Sequence, residues 1–109
     1  HLIGELKGLD VLIIDDMIDT AGTTANAAEA AMKEGARSVT AVATHGVLSG
    51  PAIERLSNAP IKKIIVTDTI LLSDEKILPN MEIVTVSKVF GEALGRIHHG
   101  ESVSALFEF

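Results

Sequence analysis

Three aspartates and three threonines fall within ten residues, Asp15-Asp-Met-Ile-Asp-Thr-Ala-Gly-Thr-Thr24, and this is where the chain can do chemistry. Carboxylates such as Asp15 and Asp16 accept hydrogen bonds from the hydroxyls of a sugar. The stretch from Asp19 through Thr20, Ala21, Gly22, Thr23 and Thr24 offers backbone N–H groups and hydroxyls at one spot, ahead of an alanine-rich segment that reads as a helix. The N–H groups and the positive end of a helix dipole suit an anion there, and Gly22 lets the backbone approach it closely. Together the two halves of the run describe a site for a phosphorylated sugar. Thr23 or Thr24 could equally serve as an ordinary helix N-cap, and Asp19 as a solvated turn residue or one that orients neighbouring N–H groups.

The elements around the run must hold it in place. Val11 to Ile14 is wholly apolar and suits the middle of a parallel sheet with both faces covered; Asp10 to Ile14 is the predicted strand. That puts Asp15 and Asp16 at its carboxyl end, the edge where open α/β sheets bind ligands. A helix follows over Thr24 to Glu34, stopped by Gly35, and a strand over Ser38 to Thr44. Ser49-Gly50-Pro51 opens a short helix through Leu56, and strands are expected at Lys63 to Thr67 and, after Pro79-Asn80, at Met81 to Val86. A closing helix runs from Val89 to Ile97, with His98 and His99 in its last turn and Gly100 as its stop. The βαβαβ order implies a parallel sheet with right-handed crossovers.

The segment Asp15 to Thr23 resembles the ribose-5-phosphate loop shared by type I phosphoribosyltransferases and ribose-phosphate pyrophosphokinases. Three further segments resemble the carboxyl-terminal half of the pyrophosphokinases: Ala43-Thr-His-Gly-Val-Leu-Ser-Gly50, Val66-Thr-Asp-Thr-Ile70 with Leu72-Ser-Asp-Glu75, and Glu101-Ser-Val-Ser-Ala-Leu-Phe107. The likeness extends over nearly the whole chain. It implies an α/β fold, a type I phosphoribosyltransferase-like parallel sheet flanked by helices, with residues 1–109 as the carboxyl-terminal domain of a longer two-domain protein. The implied reaction transfers pyrophosphate from ATP to the C1 hydroxyl of ribose 5-phosphate, giving phosphoribosyl pyrophosphate and AMP, with Mg2+ accompanying the ATP and its protein ligands upstream.

Residue by residue, the resemblance gives Asp15 and Asp16 to the ribose hydroxyls and metal hydration, and Asp19 through Thr23, with Thr24 adjoining, to the 5-phosphate. Ala21 stands where the family motif often has Gly, which confines the loop to φ values an L-residue tolerates. Ser102, Ser104 and Phe107 match a tail used by the family for regulation at a subunit interface. The family's catalytic Lys and Arg are expected upstream of His1, so no catalytic residue is assigned here and the isolated chain is expected to be inactive. The implied partners are ribose 5-phosphate, ATP, the missing amino-terminal domain and further copies in a homo-oligomer.

Composition narrows the field further. The 109 residues suit one domain, with 47% hydrophobic and 3% aromatic residues, so the core must come from Ala, Val, Ile and Leu. A net charge of −6 argues against nucleic acid, and the lack of cysteine excludes disulfides and thiolate zinc sites. No signal peptide or apolar run of about 18 residues is seen, so a cytoplasmic setting without membrane contact is expected. The four histidines show no zinc spacing; His45 could face the ligand crevice or be a satisfied structural residue. A receiver-like signalling domain would also place an acid pair after its first strand, with Asp68 as phosphoacceptor, but Lys88 follows too soon and a receiver has no use for a phosphate cradle. A non-catalytic regulatory relative would be marked by loss of the acids or cradle, and a true phosphoribosyltransferase by a base-binding hood.

Overall fold

The computed structural model describes residues 5–107, with Phe107 described by its backbone only. Four parallel strands form one sheet in the order β1 (Asp10–Ile18), β2 (Ser38–Gly46), β3 (Lys63–Thr67), β4 (Met81–Val84). Helices α1 (Gly22–Lys33) and α2 (Ala52–Asn58) make the first two crossovers; a short 3-10 turn at Asp74–Lys76 lies in the third. Helix α3 (Ser87–His98) and a 3-10 turn at Ser104–Phe107 complete the described chain. The α/β parallel fold expected from the alternating pattern is the one observed.

The core explains which face the crossovers take. Val39, Ala41 and Ala43 of β2 and Ile64 and Val66 of β3 are buried with Ala28 and Ala31 of α1 and Ala52 and Leu56 of α2. Alternation along each strand directs these residues to one face, and α1 and α2 both cover it. The alanines on α1 keep that layer thin, so the aliphatic residues of β2 and β3 supply most of its bulk. Consecutive strand order with crossovers of one hand stacks both helices on the same side. Strand β1 is therefore not a central strand with two covered faces: it is an edge of this sheet, and Leu12 and Ile14 remain 63% and 73% exposed.

Element ends differ from expectation where partners outweigh local sequence. β1 continues through Asp15, Met17 and Ile18 because β2 supplies a parallel ladder there, Met17 facing His45 and Ile18 facing Gly46. β4 stops at Val84, and α3 begins earlier than Val89, because Thr85 Oγ1 accepts the Ser87 N–H at 3.1 Å and the Asp68 carboxylate accepts that of Val86 at 2.9 Å. The predicted stops after α1 and α3 hold: Gly35 and Gly100 take φ values of 93° and 71°.

Candidate functional site

The loop between β1 and α1 is a turn with its donors left free. Ala21 is the N-cap residue of α1 at φ 65°, ψ 10°, and no side chain caps the helix. Neither Thr23 nor Thr24 is the cap: both lie inside α1, and Thr24 is buried. Among the described residues, no N–H from Thr20 through Thr24 donates to a protein acceptor, the first helical bond being Ala25 N–H to the Ala21 carbonyl at 2.9 Å. These are the orphan donors every helix start presents. They border a cleft of about 170 Å³ lined by Asp15, Met17, Ile18 and the continuous run Asp19 to Thr24.

The left-handed residue in this turn is Ala21, not Gly22, which overturns the expectation that an alanine here keeps ordinary φ values. An L-residue in that region costs about 1–2 kcal/mol, so the neighbourhood must hold it. Ala21 is itself buried, in the same core cluster as Ile18. From the other side, the loop after β2 fastens the turn: Val47 and Leu48 N–H both donate to the Ile18 carbonyl at 3.0 Å, and Ser49 N–H donates to the Asp19 carbonyl at 2.9 Å. The Ser49 hydroxyl also donates to the Asp19 carboxylate. Asp19 is thus an anchor between two loops.

The acid pair is asymmetric. Asp15 lines the cleft, whereas Asp16 does not. The Asp16 carboxyl, and then its backbone N–H at 2.7 Å, hold the Asp15 carboxyl below its ordinary range, so Asp15 is the ionised acceptor facing the cleft. The two aspartates therefore act in series: Asp16 supports Asp15, and Asp15 meets the cavity.

Other candidates have packing partners. His45 lies within β2, with Nδ1 2.7 Å from Thr69 Oγ1, and the Thr69 hydroxyl also lies 3.3 Å from the Thr44 carbonyl. This joins the carboxyl ends of β2 and β3. The Val86 N–H holds the Asp68 carboxyl below its usual range, with the Thr85 hydroxyl adding to the effect, so Asp68 ties the end of β3 to the residue before α3. His98 ends α3, with His99 just beyond it as the C-cap residue. Ser102 Oγ accepts the Ser104 N–H at 3.1 Å; the side chain of Phe107 and all of His1 lie outside the described residues. Among the described residues, no group of three or more His, Asp or Glu side chains could hold a metal ion, and no helix is long and apolar enough to cross a membrane.

The small cleft thus brings together a strand end, an aspartate whose carboxyl is held below its usual range and a run of N–H groups without protein acceptors. The profile of the phosphoribosyl synthetase-associated domain matches residues 1–108. The chain belongs to that family. Within the family, it is 52% identical over 107 residues to a ribose-phosphate pyrophosphokinase of Caldanaerobacter subterraneus, covering 98% of this chain and 34% of that protein. It is likewise 52% identical over 108 residues to one from Chlorobaculum tepidum, covering 99% and 33% respectively. The crystal structure of phosphoribosylpyrophosphate synthetase from Mycobacterium smegmatis superimposes with a TM-score of 0.88 at 34% identity, over 90% of this chain and 33% of that one. The chain thus spans about a third of the length of the relatives it matches.

Two residues that shape the site were not singled out from the sequence. Ser49 enters the sequence reading as part of a helix start and of the Ala43 to Gly50 resemblance, without a role in the site, and Arg55 has no assignment there, although its Nη1 donates to the Thr20 carbonyl at 3.2 Å. Pro51, four residues earlier, marks the helix that presents Arg55; no local pattern marks what the arginine reaches.

Proposed function

We propose that this chain is the ribose 5-phosphate-binding part of a ribose-phosphate pyrophosphokinase, the carboxyl-terminal domain of a longer, oligomeric protein that uses ATP. The observation that carries the reading is the cleft itself: unpartnered N–H groups from Thr20 to Thr24 beside the ionised Asp15. The 5-phosphate sits against the N–H groups and the Thr20, Thr23 and Thr24 hydroxyls. Asp15, backed by Asp16, accepts the ribose hydroxyls, and Asp19 keeps the turn in register through Ser49. The sugar is then held at both ends, leaving its C1 hydroxyl to attack the β-phosphorus of ATP. The C1 hydroxyl gives up its proton to solvent as the C1 oxygen to phosphorus bond forms, the bond from that phosphorus to the bridging oxygen breaks, and AMP leaves with that oxygen on its α-phosphate. Positioning and charge neutralisation dominate such transfers.

Mg2+ accompanying ATP would neutralise phosphate charge; in this reading its protein ligands lie upstream, and the Asp15–Asp16 pair would meet the ion through its bound water. The cationic groups that stabilise the migrating pyrophosphoryl group belong to the remainder of the protein in this reading. Ser102, Ser104 and Phe107 are assigned to an effector site on the tail.

Gly22→Val tests the cradle in the complete protein. A Cβ at Gly22 would lie 3.1 Å from Arg55 Nη1, so a branched side chain there must displace the arginine and strain the turn that lines the cleft. Calorimetric titration should show ribose 5-phosphate affinity reduced at least about tenfold, the worth of one charged hydrogen bond. Unchanged affinity would remove the phosphate from this cleft.

A further inference from the structure

Arg55 meets the turn without lining the cleft. It lies on α2 and, with Gly22, Ala25 and Asn26 of α1, lines a separate groove of about 410 Å³ between the two helices. Its Nη1 donates to the Thr20 carbonyl. Among the described residues its guanidinium forms no ion pair, although Glu29 and Glu54 line the same groove. The contact depends on Gly22, since a Cβ there would stand 3.1 Å from the same nitrogen.

We propose that Arg55 is a positioning residue for the phosphate cradle, acting through the Thr20–Ala21 peptide. That peptide is trans, so its carbonyl and its N–H point in opposite directions. A Thr20 carbonyl drawn towards Arg55 turns the Ala21 N–H away from the guanidinium, in a run whose residues line the cleft. The same bond helps hold Ala21 at φ 65°, a conformation an alanine leaves readily when nothing restrains it. A fixed guanidinium fork suits this role better than a flexible ammonium, but only one donor is used, so lysine can substitute in part. Arg55 also places a positive charge behind the turn without entering the cleft. The inference rests on the ribose 5-phosphate reading above.

Steady-state kinetics of the complete protein, with Arg55→Met, Arg55→Lys, Gly22→Ala and the Gly22→Ala/Arg55→Met double variant, test it. Arg55→Met should raise KM for ribose 5-phosphate about tenfold, while kcat and KM for ATP move less than about twofold and Tm changes little. Arg55→Lys should recover part of the loss. Gly22→Ala, which crowds the arginine, should raise the same KM in the wild-type background and have almost no further effect once Arg55 is Met. A wild-type protein that does not bind ribose 5-phosphate would overturn the functional reading and this inference with it. Binding by the wild type with an unchanged KM in Arg55→Met would overturn the inference alone. So would a parallel loss of kcat, both KM values and Tm, since that would make the contact merely structural.

Discussion

At the cleft, the apolar side chains Ile18, Ala21 and Leu48 are buried and it is the backbone N–H groups that lack partners; along α3 the situation is reversed. The carboxyl end of α3 is closed by bonds from the His99 N–H to the Gly95 carbonyl and from Glu101 to Arg96, yet the helix has no buried residue. Phe90, Ala93, Leu94 and Ile97 follow the i, i+3, i+4, i+7 spacing of an apolar stripe, and Phe90, Leu94 and Ile97 are each more than half exposed. The contrast separates two kinds of incompleteness. The turn is packed and fastened by its own neighbours, and what it lacks is hydrogen-bond acceptors, which a small anion would supply in the proposed reading. Helix α3 has its carboxyl end closed and leaves its apolar stripe uncovered by the described residues.

Truncating a side chain in each region is the strongest way to break that comparison. In the 109-residue chain, Ile64→Ala removes a fully buried side chain and should lower the unfolding free energy by about 3 kcal/mol in urea titrations, within the range of about 2–5 kcal/mol for such changes. Leu94→Ala should change it by about 0.5 kcal/mol or less. Equal losses would mean that α3 is packed within the chain and that the contrast is wrong.

A smaller effect sharpens the comparison along β1 itself. At its amino end, Asp10 accepts hydrogen bonds from the Arg37 guanidinium and from Ser38 Oγ, the latter at 2.6 Å, and the arginine holds its carboxyl far below the usual range. At the carboxyl end, Asp15 has another aspartate for its partner. A depressed carboxylate stabilises the fold fully above its unfolded value of 3.8 and loses that contribution as pH falls towards the folded value. The pair is exposed, so Asp10→Asn should narrow the fall in Tm between pH 5 and pH 2.5 by about a few degrees at most. An identical fall in the variant would show that the ion pair contributes nothing.

How much of this was legible in the sequence follows from what each feature depends on. Strand and helix identities could be read because apolar runs, alanine-rich stretches and the glycine stops at Gly35 and Gly100 are local signals. The far end of β1 was not, because Asp15 and Asp16 look like residues leaving a strand and only pairing with β2 keeps them in it. The cleft's lining from Asp19 to Thr24 could be read because it is contiguous, whereas the conformation of Ala21 was missed because it depends on burial and on contacts from outside the turn. Ser49 and Arg55 lie 30 and 35 residues from their partners, and such contacts leave no trace in local spacing. The bare face of β1 depends on strand order, which the alternating pattern alone does not specify.

The central claim is that one cleft binds a sugar through Asp15 and a phosphate through the N–H groups of the turn, and paired titrations of the complete protein test it most directly. Asp15→Asn keeps the size of the side chain and removes its charge. Ribose 5-phosphate affinity should fall roughly 10- to 150-fold, the worth of a charged hydrogen bond of about 1.5–3 kcal/mol. Inorganic phosphate, which does not need the acid, should bind the variant within about twofold of wild type or somewhat more tightly. Equal losses for the two ligands would mean that Asp15 only holds the loop in shape, and would contradict the division of the cleft into a sugar side and a phosphate side.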